Sequence, residues 1–185
     1  MASTSRSIYM ACDGFGEDLK NAIKSHLETK ENIDVKDFGS NTYYDAAANV
    51  SKAIADGNKN EDATDVIKKD KLSNVGILIC GTGMGVGIVA NKFPGVRAAT
   101  CENVSAARCA RAVNNANVLC LGQLVTKTDD AKVMVDEFLE QQFNSQPDGE
   151  DGTPLNWWSK DVEIFLATSM EGIERVEQEV VKQDK

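Results

Sequence analysis

The run Val75-Gly76-Ile77-Leu78-Ile79-Cys80 contains no polar side chain, and it passes directly into Gly81-Thr82-Gly83-Met84-Gly85-Val86-Gly87 and then Ile88-Val89-Ala90-Asn91-Lys92. A strand with one wet face alternates apolar and polar residues. A strand without that alternation is covered on both faces, which in α/β proteins means a parallel strand under helices. The glycines then mark a tight turn, and the segment reads as strand, turn, helix.

The rest of the chain repeats this unit. Ser7 to Cys12 reads as a strand, followed by a helix with Leu19, Ile23 and Leu27 four apart. Ile33 to Phe38 alternates like a strand, and a small-residue helix is predicted over about 45–56. Residues 57–72 are polar and charged and read as a surface excursion. Strand Val96 to Thr100, helix about 103–114, strand Asn117 to Leu121 and helix about 128–142 complete the alternation. Right-handed crossovers then give a Rossmann-like, doubly wound, five-stranded parallel sheet with helices on both faces. This domain is expected over residues 1–145, with a polar linker at 146–159 and a C-terminal helix at 160–181. In that tail Val162, Phe165, Leu166, Met170, Ile173, Val176 and Val180 trace one helical face, Ser159 suits the N-cap, and Trp157 and Trp158 precede it. A lone helix of this kind needs a surface to cover, on its own domain or on a neighbouring subunit, where Trp157 or Trp158 would wall off the ligand pocket.

Ligands of such sheets lie beyond the carboxyl ends of the strands. Cys12, Cys80, Cys101 and Cys120 all fall near those ends, where a cysteine either packs or reacts. The five cysteines are odd in number and include no C-x-x-C pair, so neither a disulfide framework nor a zinc site is expected. A glycine turn presents successive backbone N–H groups that can hold an anion. The spacing G-x-G-x-G-x-G after the third strand differs from the G-x-G-x-x-G of dinucleotide folds, and no Gly-Lys-Ser/Thr is present. A small anion or a developing oxyanion fits better than a nucleotide. Cys80 at the strand end gives a thiol beside that turn, an arrangement suited to removing a proton next to a carbonyl and holding the enediolate, or to covalent attack. The single histidine, His26, lies in the first helix and reads as a surface residue. The net charge of −9 argues against nucleic acid and anionic membrane partners. No run approaches a membrane span, and a cytoplasmic protein is the simplest expectation.

Ile79-Cys80-Gly81-Thr82-Gly83-Met84-Gly85 and Ala90-Asn91-Lys92-Phe93-Pro94-Gly95-Val96-Arg97-Ala98-Ala99 closely resemble the ribose-5-phosphate isomerase B and galactose-6-phosphate isomerase family. Cys12-Asp13-x-x-Gly16, Leu19-Lys20, Asp37-Phe38-Gly39 and Asn114-x-Ala116-Asn117-Val118-Leu119 match in order, and the likeness spans roughly residues 7–143. The resemblance implies a homodimer with sites between subunits, a sugar or sugar phosphate as ligand, and aldose–ketose isomerisation through a cis-enediolate without metal or cofactor. It further implies Cys80 as the base and Thr82 as an aid to ring opening. Gly81, Gly83 and Gly85 would form the oxyanion-binding backbone, and Asp13 and Asn114 would contact sugar hydroxyls.

The departures from the family are specific, and they resemble a divergent eukaryotic branch. The family's Cys-Asp-His-Ala-Gly reads Cys12-Asp13-Gly14-Phe15-Gly16 here, its ring-opening histidine position is Val113, and its first phosphate-binding arginine position is Leu124. Arg108 and Arg111, three apart on one helix, and Lys92 are candidates to replace the clamp, or are ordinary surface charges. Tyr43 and Tyr44 either line the pocket or pack a loop. Two functional readings follow: an isomerase of small sugars or sugar phosphates, or a non-catalytic sugar-binding regulator that kept the fold.

Overall fold

The structure is a computed structural model and describes residues 5–58 and 72–183. In chain order the elements are β1 (Arg6–Cys12), α1 (Glu17–Leu27), β2 (Ile33–Ser40), α2 (Tyr43–Asn58), β3 (Asn74–Cys80), α3 (Met84–Ala90), β4 (Ala98–Thr100), α4 (Val104–Ala112), β5 (Val118–Gly122), α5 (Thr128–Glu140) and α6 (Lys160–Gln183). Most of the polar excursion expected at 57–72 lies outside the described residues.

All strand pairs are parallel, and the sheet order is β2-β1-β3-β5-β4. The continuous apolar runs sort by alternation. Ile77, Ile79, Leu119 and Leu121 enter the core under α1, α4 and α5, while Leu78, Cys80, Val118 and Cys120 enter the core under α2 and α3. β4 is shorter than its apolar pattern suggests. The Asn91 carboxamide donates to the Ala98 carbonyl and accepts from the Ala98 N–H, both at 2.8 Å. The Asn117 side chain accepts the Arg97 N–H at 2.8 Å. Asn91 thereby takes the place of a ladder partner at the free edge of β4, while Asn117 holds Arg97 on the side of β5.

Helix starts follow local chemistry. Thr42 Oγ1 accepts the Asp45 N–H and donates to its carboxylate, a reciprocal cap that opens α2. Asn103 caps α4 by accepting the Ala106 N–H at 2.8 Å. The buried Lys20 pairs with Asp37 at 3.0 Å, and Lys24 reaches the same carboxylate at 3.1 Å, tying α1 to β2. His26 is not simply a surface residue. It is half-buried, with Nε2 2.9 Å from both Asp136 oxygens, and it fastens α1 to α5.

The segment before α6 is more ordered than its polar composition suggests. Asp148 and Pro154 form an isolated antiparallel bridge, and the Gly149 carbonyl accepts from Arg108 at 2.7 Å. Ser159 Oγ accepts the Val162 N–H at 3.3 Å, as expected of an N-cap. α6 then lies on its own chain, at the amino ends of the strands. Leu166 and Met170 are buried there, the Glu177 carboxylate accepts the Gly95 N–H, and Asn144 donates to the Glu163 carbonyl. Trp158 donates to Glu163 at 3.2 Å. Within one chain the tail and the glycine turn therefore sit at opposite ends of the sheet. Only part of the apolar stripe is used, because Phe165, Ile173, Val176 and Val180 face solvent in the single chain. Met170→Ala should weaken the docking of α6 by about 2 kcal/mol. Hydrogen exchange should show α6 losing protection while β3 and β5 keep theirs; a matching loss in those strands would make the tail part of the cooperative core.

Candidate active site

β1, β3 and β5 end side by side, and the turns that follow them meet. The Asp13 N–H donates to the Ile79 carbonyl at 3.2 Å, so the β1–α1 turn rests on the end of β3. The Gln123 and Leu124 N–H groups donate to the carbonyls of Cys80 and Gly81 at 3.0 and 2.9 Å, binding the β5–α5 turn to the glycine turn from the other side. Gly122 has no room for a side chain: a Cβ there would lie 2.5 Å from the Thr82 carbonyl carbon. Gly122→Ala should cost about 2 kcal/mol by overpacking and displace the Thr82 turn; unchanged urea unfolding would contradict this close approach.

Within the turn, Gly83 has φ +78, a left-handed conformation that glycine adopts without strain. That conformation directs the Gly83 N–H onto Cys80 Sγ at 3.1 Å. The sulfur is nearly enclosed, at the edge of the core formed with α2 and α3. The other cysteines at strand ends are held differently. Burial pushes the Cys12 thiol up, pushes Cys101 up to about 12, and raises Cys120 further still, so these groups stay protonated near neutrality. Cys12 and Cys101 donate to the Gly39 and Ala99 carbonyls rather than accepting an N–H. Thr82 is exposed above the turn, and its Oγ1 accepts the Met84 N–H at 3.4 Å. Asp13 is half-buried, with one carboxylate oxygen accepting the Phe15 N–H at 2.9 Å.

Tyr43 stands against the glycine turn: a Cβ on Gly85 would touch its ring at 3.2 Å, and Tyr44 packs edge-on against it at 5.2 Å. Phe15 and Leu124 flank Gly81, whose ideal Cβ position lies 3.7 Å from Phe15 Cβ and 3.4 Å from Leu124 Cδ1. Leu124 stands where the resemblance places a phosphate-binding arginine, and Phe15 is a neighbour of the turn with no role read from the sequence. The available signal was a large apolar residue inside a polar turn after each of two strands.

Cys80, Thr82, Asp13, Tyr43 and the glycines thus come together, while three expected site residues do not join them. Arg111 is fully buried at the amino end of β5, donating to Asn115 and the Ala116 carbonyl at 2.8 and 2.7 Å. Burial, then the charges of Arg97 and Arg6, lower its pKa from the ordinary arginine value. Arg108 lies on the face of the sheet away from Cys80 and pairs with Glu137 at 2.9 Å, which holds that carboxyl below its usual range. Neither arginine reaches this chain's own glycine turn. Asn114 is exposed in the turn before β5, at the opposite end of the strands from Cys80. Lys92 follows α3 at that same far end. Among the described residues no cluster of His, Cys, Asp or Glu could hold a metal ion, and no helix is long and apolar enough to cross a membrane.

Residues 8–151 match the family model described as Ribose/Galactose Isomerase. The chain is 33% identical over 169 residues to the DNA damage-repair/toleration protein DRT102 of Arabidopsis thaliana, covering 91% of this chain and 49% of that protein. The chain therefore spans about half the length of that plant relative. It is 35% identical over 143 residues to ribose-5-phosphate isomerase B of Escherichia coli, covering 75% of this chain and 86% of that protein. The structure of ribose-5-phosphate isomerase B from Mycoplasma genitalium with bound ribulose-5-phosphate superposes with a TM-score of 0.73 at 32% identity, covering 96% of this chain and 99% of that one.

Proposed function

Because the chain belongs to the ribose/galactose isomerase family, we propose that it interconverts the aldose and ketose forms of a small sugar by proton transfer at Cys80. The observation that carries this reading is the Cys80 sulfur held at the strand end, with the Gly83 N–H donating to it at 3.1 Å. In the proposed step the thiolate takes the proton from the carbon beside the carbonyl. The C–H electron pair forms the carbon–carbon double bond, and the carbonyl π pair moves onto oxygen. Backbone N–H groups of the Gly81–Gly85 turn stabilise that oxyanion, an effect strongest where the donors are preorganised and water is scarce. Cys80 returns the proton to the neighbouring carbon, and a hydroxyl proton moves to the oxygen that received charge. Thr82 assists ring opening, and Asp13 accepts from sugar hydroxyls.

Asn114 joins such a site only from a second copy, since in one chain it lies at the far end of the strands. This supports a homodimer with sites shared between subunits. The test is deuterium uptake from heavy water into tetroses, pentoses and their phosphates, followed by proton NMR. Label entering the carbon next to the carbonyl, together with the isomeric sugar, is the expected result. One observation favours a second reading, a sugar-binding regulator: the only histidine, His26, is engaged with Asp136 and lies away from the turn. Tight sugar binding with no label uptake by any sugar would select that reading.

A further inference from the structure

Building on the sugar-isomerase reading, we propose that the mouth over Cys80 takes an uncharged short-chain sugar, and that Phe15, Tyr43 and Leu124 are specificity-determining residues that disfavour phosphorylated ones. The first argument is charge. The described turns at the carboxyl ends of the strands, residues 13–16, 41–42, 81–83, 101–103 and 123–127, contain one basic residue, Lys127, against Asp13 and Glu102. The first turns of the helices that leave this end add Glu17, Asp18, Asp45, Asp129 and Asp130. A phosphate ester would arrive at this end of the chain in a field of its own sign, and at the far end that a second copy would bring, the exposed Lys92 is the added cation while Arg97 faces Glu174 and Glu177.

All five arginines are engaged within the chain, away from the mouth over Cys80. Arg6 donates to the Leu72 and Leu139 carbonyls, and Arg97 to the Asn115 carbonyl. Arg108 and Arg111 are held as described, and Arg175 pairs with Glu179 on α6. Lys20 and Lys24 are both spent on Asp37.

The second argument is the lining. Phe15 and Leu124 are 68% and 69% exposed, yet both stand within 4 Å of the Gly81 Cβ position, and the Tyr43 ring covers Gly85. Binding sites for small molecules combine apolar walls with a few placed polar groups. Here the walls fit the C–H faces of a sugar chain, while Asp13 and Thr82 supply the polar contacts. An apolar wall over the oxyanion turn also desolvates a charged ester without returning a hydrogen bond, which works against binding it.

The test is calorimetric titration of the full chain with matched polyols, ribitol against ribitol 5-phosphate and erythritol against erythritol 4-phosphate. These probes have no carbonyl, so the outcome is independent of whether Cys80 performs chemistry. The uncharged member of each pair should bind at least as tightly as its phosphate. Leu124→Arg should strengthen phosphate binding by about tenfold, a gain expected of one added charge-assisted contact, with little change for the uncharged polyol. Tighter binding of the phosphate by the wild type overturns the proposal, and loss of that preference in Lys127→Ala would identify Lys127 as a phosphate anchor. Absence of binding by both polyols overturns it as well. Failure of deuterium uptake alone removes the isomerase reading and leaves the binding result to be judged by itself.

Discussion

Cys80→Ser is expected to lower deuterium uptake into the sugar by about a thousandfold, while polyol binding changes little. Serine keeps the size of the side chain and still offers an oxygen to the Gly83 N–H, so the turn should hold its shape. A serine hydroxyl, however, is too weak a base near neutral pH to take a proton beside a carbonyl. The split between lost proton transfer and retained binding is the informative part. If turnover and binding fell together, the residue would be supporting the turn rather than reacting. Uptake at the wild-type rate would remove Cys80 as the base.

The second large effect concerns stability. Asp37→Asn should destabilise the fold by about 3 kcal/mol at pH 7, because it leaves the Lys20 ammonium buried without its countercharge. For a chain of this size that corresponds to a fall in Tm of roughly 6–12 °C. Burial alone would raise the Asp37 carboxyl, but the Gly39 N–H and the Lys20 and Lys24 ammonium groups outweigh it and hold the carboxyl below its ordinary range. A group depressed on folding stabilises the native state at pH values above its unfolded pKa, and that contribution disappears as pH falls through the folded pKa. Wild type and variant should therefore differ most near neutrality and converge as pH falls through the depressed folded-state pKa of Asp37, below the ordinary carboxylate range. An equal gap at both ends of the range would mean that the loss is one of packing. Replacing both partners, Lys20→Met with Asp37→Asn, should recover part of the stability by removing the stranded charge.

Strand and helix order were legible because each is a local property. The apolar run of β3 shows that both its faces are covered. The glycines mark the turn, and the thiol at the strand end is placed by chain connectivity alone. The Ser159 cap of α6 was legible for the same reason. Sequence periodicity could not say which strands are neighbours, since β3 and β5 are both apolar throughout and β4 crosses beyond β5 before the chain returns between them. It also could not say on which side of the sheet a helix lies.

Those two undetermined facts govern the site. Arg108 and Arg111 share a helix by spacing, but the crossover into β5 puts that helix on the face away from Cys80, where one arginine meets Glu137 and the other is buried. Asn114 is a few residues from β5 in sequence, yet it belongs to the strand's amino end while Cys80 belongs to a carboxyl end. Phe15 and Leu124 come from turns distant in the chain, and only the adjacency of β1, β3 and β5 brings both beside Gly81. The tail shows the same division. Its heptad-like stripe predicts a helix that must cover something, but Leu166 and Met170 turn inward while Phe165 and Val176 do not. The rotation of that helix is set by where Glu177 and Glu163 find partners at Gly95 and Asn144. Periodicity and turn chemistry act over a few residues and are written in the sequence directly; neighbour, face and rotation are choices among long-range packings of nearly equal pattern, and only the folded chain makes them.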